Sequence, residues 1–165
     1  MDTGNPAPEK QPPPAGWPKR RSTFVQYLCL SAVGHFIWET AQLPLYTIWS
    51  TGTLGQMMFA VAHCTIGDVL IGGSALLLAI LLLRARGWPN AQFASVAICV
   101  VAIGLCYTGF SEWLNVSVRQ TWAYSTAMPR MAIGAFAIGL SPLAQWIVVP
   151  LLVFAVLSKW LRAAD

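Results

Sequence analysis

An all-α, four-transmembrane-helix bundle with both termini in the cytoplasm is the fold this sequence predicts, and three observations predict it. Of 165 residues, 56% are hydrophobic and only 10% charged, with mean hydropathy +0.60, whereas a soluble domain carries about a quarter charged residues. The apolar residues gather into four long runs. Lysine and arginine cluster at alternate ends of those runs, which is the signature of membrane threading. The implied organisation is a proline-rich basic tail over residues 1–22 and a membrane domain over 23–162, multi-pass in the lipid bilayer.

Residues 1–18 hold six of the eleven prolines and no apolar period, so the tail reads as disordered and partly polyproline II. The first apolar run, 24–43, follows Lys19, Arg20 and Arg21. Its length of about 20 residues matches a hydrocarbon core about 30 Å thick and exceeds the core of a cleavable signal. Leu43-Pro44 ends it. The second run, 57–83, is long for one crossing, so it is either tilted or starts outside the core. Arg84 and Arg86 close it, and Gly87-Trp88-Pro89-Asn90 makes the turn. The third covers 91–111 and leads into EWLNVSVRQTWAYSTAMPR.

The last apolar region, 131–161, is too long for one straight span. Proline disfavours helix in the residue before it, so Ser141-Pro142 is expected to break the region. That leaves 143–161 as the fourth span, kinked at Pro150. Residues 131–141 are then too short to cross and read as re-entrant or interfacial.

Orientation follows from the basic residues. With the N-terminus inside, the inner flanks carry Lys10, Lys19, Arg20, Arg21, Arg84, Arg86, Lys159 and Arg162, and the outer flanks only Arg119 and Arg130. The tryptophans fit as interface anchors, with Trp17, Trp88 and Trp160 inside and Trp49, Trp113 and Trp122 outside. The same placement argues against nucleic acid as a partner, because no basic face with interleaved aromatics occurs in a soluble stretch. The four cysteines, Cys29, Cys64, Cys99 and Cys106, lie in apolar runs and form neither a C-x-x-C pair nor a C-x-x-C-H haem attachment.

Six residues are acidic, and Glu39, Asp68 and Glu112 lie within spans or at their ends. An acid near the bilayer centre costs about 2.5–3.5 kcal/mol on insertion scales, so three of them point to a purpose. Counting from the cytoplasmic ends at about 1.5 Å per residue puts Glu39 and Asp68 both roughly 22 Å up. His35 falls at about 16 Å, and His63 and Glu112 at about 30 Å. The spans thus converge their ionisable groups in the outer half. His35, Glu39 and Gln42 share one face of span one, as do Thr108, Glu112, Asn115 and Arg119 if helix continues past residue 111. Cys64 and Asp68 share a face, but His63 and Asp68 are about 140° apart on a regular helix.

The predicted pocket therefore comprises His35, Glu39, Gln42, His63, Asp68, Glu112, Asn115 and Arg119, with His35, Glu39, Asp68 and Glu112 as the candidate metal set. Several functions compete for it. One is binding of a small ligand or metal ion from the periplasmic side. A second is a lipid- or isoprenoid-modifying enzyme using the same carboxylates and His as acid and base. A third is an assembly subunit in which these groups, with Gln145, are interhelical glue. Transport is disfavoured by the nearly all-apolar inner halves of spans one, two and three. The differing depths of His35 and His63 argue against bis-histidine haem.

The stretches HFIWETAQLPLYTIW, HCTIGDVLI, YTGFSEWLNV and WAYSTAMPR…GLSPLAQWIVVP together resemble an uncharacterised family of small four-helix bacterial inner-membrane proteins. The resemblance covers roughly residues 24–157. It implies a bacterial inner-membrane setting and four spans, and brings no catalytic residue with it.

Overall fold

The structure, a computed structural model, describes residues 17–134 and 136–163. The expected disorder of residues 1–16 lies outside them. Residues 17–22, assigned above to the tail, are helical instead: helix α1 spans Trp17–Gln42. Pro18 falls in its first turn, where a missing N–H removes no helical bond. Lys19, Arg20 and Arg21 are good helix formers, so the basic patch belongs to the helix rather than preceding it.

The buried stripe of α1 is polar. Thr23, Tyr27, Ser31 and His35 recur every four residues, Gln42 follows, and all five are buried. Val25, Val33, Phe36 and Ile37 point outward and are more than half exposed or close to it. A soluble helix hides its apolar stripe, whereas this one hides its polar residues and offers hydrocarbon to its surroundings.

Gln42 passes into a single 3-10 turn, Leu43–Leu45, with Pro44 at a position where proline starts a turn readily. A short helix, α2 (Ile48–Thr51), follows. Helix α3 is Leu54–Leu82, three residues longer at its start than the apolar run suggested. The reason is a capping box: the Thr53 hydroxyl accepts from the Gln56 N–H at 3.3 Å, and the Gln56 carboxamide accepts from the Thr53 N–H at 2.8 Å. That spacing satisfies two orphan donors at once.

The connection over 83–92 tucks Ala85 and Trp88 into the core. Trp88 is therefore a core residue and not the interface anchor expected from its position. Arg20 reaches the Arg86 carbonyl at 3.5 Å, so both basic clusters lie at one end of the molecule. Helix α4 is Phe93–Glu112 and continues through one π-helical stretch, Trp113–Val118.

Residues 130–139 overlap the stretch expected to be re-entrant or interfacial. They form an antiparallel hairpin, β1 (Arg130–Ile133) and β2 (Phe136–Gly139), with Arg130 paired to Gly139 and Ile133 to Phe136. Gly134 between them has φ +60°, a value that glycine adopts freely and that turns favour. Helix α5 then starts at Leu140 and runs to Ala163, so Ser141-Pro142 begins the helix instead of breaking it. Proline in a first turn is favourable for the same reason as at Pro18. Pro150 lies inside α5 and is itself buried.

Helix α1 packs on α3 and α5, and α4 packs on the same two, which closes a ring of four. Three of these helices, 54–82, 93–118 and 140–163, are long and apolar enough to cross a membrane, as a membrane protein requires. The polar stripe of α1 lowers its own apolarity. One half of the ring is dry, with Tyr27, Leu76, Val100, Phe154 and Leu157 packed together. The α4–α5 contact is close: a Cβ on Gly104 would lie 2.0 Å from Trp146 Cε3, so only glycine lets the indole lie flat on α4. Above this layer the ring is polar.

Candidate functional site

Gln145 is the hub of the polar half. It is 2% exposed, it projects from the second turn of α5, and its carboxamide nitrogen lies 2.9 Å from His35 Nδ1, 3.0 Å from Glu39 Oε1 and 2.9 Å from Asp68 Oδ2. His35 Nδ1 and Asp68 Oδ2 are themselves 3.2 Å apart. Helices α1, α3 and α5 meet at this one amide, and Trp146 covers the imidazole with ring centroids 5.1 Å apart.

The orientation of that amide follows from a donor chain. The Trp38 indole N–H, which can only donate, gives its proton to Ser141 Oγ at 3.2 Å. The Ser141 hydroxyl donates to Gln42 Oε1 at 2.9 Å. Gln42 Nε2 then donates to Glu39 Oε1 at 2.9 Å and approaches Gln145 Oε1 at 3.4 Å. This chain turns the nitrogen of Gln145 toward the imidazole and carboxylates. Its two N–H groups face three acceptors, so the cluster is complete only when a proton also lies between His35 and a carboxylate.

Glu112, at the junction of α4 and the π-helical stretch, belongs to a second cluster. It is 5% exposed and accepts from the Tyr124 hydroxyl, whose oxygen accepts from the Gly139 N–H at 3.0 Å. Trp122 lies beside it, outside hydrogen-bonding geometry. Tyr124 in turn packs on Tyr46, with centroids 5.7 Å apart. The two tyrosines also form a β-bridge between the loops. Burial first, and the Glu112 carboxylate second, push both hydroxyls well above the ordinary phenol range, so each stays protonated and Tyr124 stays a donor.

A cavity of about 1050 Å³ separates and joins the two clusters. Seven of the eight residues predicted for the pocket line it: Glu39, Gln42, His63, Asp68, Glu112, Asn115 and Arg119. His35 does not, being buried behind Asp68 and Gln145. Nor do all seven share one role. His63 is exposed and stacks on Phe59 at 5.5 Å, away from Asp68, as the angle between them on a regular helix requires. Asn115 serves the backbone, donating to the Ser111 carbonyl at 2.9 Å and accepting from the Thr121 hydroxyl at 3.1 Å. Arg119 is exposed, and among the described residues no ion pair joins it to a carboxylate.

The candidate metal set is divided. His35, Glu39 and Asp68 gather round the Gln145 nitrogen, while Glu112 is engaged by Tyr124. Among the described residues no three His, Cys, Asp or Glu side chains are disposed to hold a metal ion. An amide nitrogen occupies the focus of the three groups, and its N–H bonds point where a cation would need lone pairs.

Sequence reasoning missed Tyr46, Tyr124 and Ser141 as parts of the site and undervalued Gln145. For Gln145 the signal was present, an amide in an otherwise apolar run. For Tyr124 there was none, because a loop tyrosine reaches Glu112 only through the tertiary fold. Thr108 was noted on the Glu112 face; the residue lines the cavity, and its hydroxyl is buried with no hydrogen-bond partner. No family, curated protein or solved structure matches this chain.

Proposed function

We propose that the chain is a multi-pass protein of a bacterial inner membrane, crossing four times with both termini in the cytoplasm, and that it binds a small ligand from the periplasmic side. The observation that carries the binding is the cavity: about 1050 Å³ is the size of a pocket for a small organic molecule. Its wall combines apolar side chains with three carboxylates. The threading is supported by the basic residues, which cluster at the dry end of the ring and are sparse at the cavity end. The resemblance of the four sequence stretches supports the bacterial setting.

The two polar layers divide the work. The His35–Gln145 layer is buried and interhelical, so it suits the role of glue between α1, α3 and α5. Asp68 and Glu39 belong to this layer but also reach the cavity, which gives a ligand polar contacts on a rigid floor. Direct metal coordination is the weaker version, since the Gln145 amide already occupies the focus of the ligands. A lipid-modifying enzyme would draw on the same carboxylates, and the apolar wall at Phe59 and Ile71 favours a substrate with a hydrocarbon part.

Gly67 offers a test. It lines the cavity, and a Cβ there meets nothing within 4 Å, so Gly67→Phe fills space without disturbing the backbone. In thermal unfolding of the full chain in detergent, at least one small water-soluble ligand is expected to raise the midpoint of the wild type and not that of Gly67→Phe. Identical shifts in the two proteins across a ligand panel would contradict the reading.

A further inference from the structure

We propose that the ligand is a small organic cation, a protonated amine carrying an apolar or aromatic body; this rests on the cavity being a binding site. Charge is the first argument. Glu39, Asp68 and Glu112 all line the cavity, and among the described residues no arginine pairs with them, while Asp68 contacts the His35 imidazole. The guanidinium on the wall, that of Arg119, is exposed, whereas Glu112 is buried. The site thus lacks a positive charge where its carboxylates are most desolvated, and a cationic guest supplies one.

The unsatisfied hydroxyl of Thr108 is the second argument. The residue is 5% exposed and lines the cavity one helical turn before Glu112 on the same face of α4, while its hydroxyl oxygen is itself buried and has no hydrogen-bond partner. A buried hydroxyl is normally paired. An ammonium group has three donors, enough to give one to Glu112, one to Thr108 once its side chain rotates toward the cavity, and keep one for water or Asp68.

Shape is the third. Tyr46, Tyr107, Trp122 and Trp146 are all part of the wall, and aromatic faces attract both a cation and an apolar body. A monatomic ion would leave most of so large a space unfilled. The ammonium could belong to a free amine or to an ethanolamine lipid headgroup, since the chemistry recognised is the same.

Three isosteres separate charge from shape: benzylamine as the cation, benzyl alcohol as the neutral analogue and benzoate as the anion. Binding is read as a thermal shift of the full chain in phosphatidylglycerol nanodiscs, with and without phosphatidylethanolamine, for wild type and Gly67→Phe. Benzylamine is expected to bind the wild type at least about tenfold more tightly than benzyl alcohol, the worth of one charge-assisted hydrogen bond, with benzoate weaker still. If a headgroup is the source, phosphatidylethanolamine reproduces the shift and weakens the added effect of benzylamine.

Glu112→Gln, which keeps an acceptor for Tyr124, should weaken benzylamine about tenfold. The near-isosteric Thr108→Val should weaken it about threefold. Benzyl alcohol or benzoate binding as well as benzylamine, with both shifts lost in Gly67→Phe, would overturn the cation while leaving the cavity standing. No probe distinguishing wild type from Gly67→Phe would overturn the cavity reading itself.

Discussion

Gln145 shows how much a single buried amide can organise. Its nitrogen is within 3.0 Å of groups on two other helices, and its position in an apolar run made it visible in the sequence as a polar residue needing a partner. Which partners it has was not visible, because His35, Glu39 and Asp68 lie 77 to 110 residues away in the chain. The same limit hid the Glu112–Tyr124 contact, which depends on a loop folding back over α4. Gln145→Leu removes the shared donor while preserving volume and leaves buried acceptors unsatisfied, at about 1–3 kcal/mol for each such group. The expected result is a lower thermal midpoint in detergent together with weakened α1–α5 association. An unchanged midpoint would mean that the amide is not the structural hub.

Among the elements, the long helices were the most legible and their ends the least. The apolar runs located α1, α3, α4 and α5. The Thr53–Gln56 box and the prolines at 18 and 142 set their starts, through capping and first-turn chemistry that a hydropathy reading passes over. The form of residues 130–139 was hidden for a related reason. Their length, too short to cross, suggested a re-entrant or interfacial segment, and the structure adds its form: the glycine at 134 turns the chain and an antiparallel pair satisfies the backbone. Packing between elements is similarly specific at Gly104, where α4 accepts the Trp146 indole. Gly104→Ala places a methyl group within the indole's own volume, and overpacking of this kind costs about 1–3 kcal/mol. The thermal midpoint is expected to fall despite alanine's better helix propensity, and a rise would show that α4 and α5 have room to separate.

At the scale of the whole molecule the chain is built inside out relative to a soluble bundle: apolar side chains outside, a polar stripe within α1, a dry half and a polar half. The division was legible from sequence because charge in a membrane segment is costly enough to make each acid informative, and depth counting brought Glu39 level with Asp68 before any fold was known. The cavity was not legible, since empty space between helices leaves no residue pattern of its own. Cys64 gives direct access to it, as a free thiol on the cavity wall one turn before Asp68. In a protein whose other three cysteines are replaced by serine, the decisive measurement is the rate at which a small membrane-impermeant thiol reagent modifies Cys64 in oriented vesicles. An outward-opening cavity predicts faster modification in right-side-out vesicles than in inside-out ones, slowed further by Gly67→Phe. Faster modification from the inside-out face, or a rate that Gly67→Phe leaves unchanged, would contradict it.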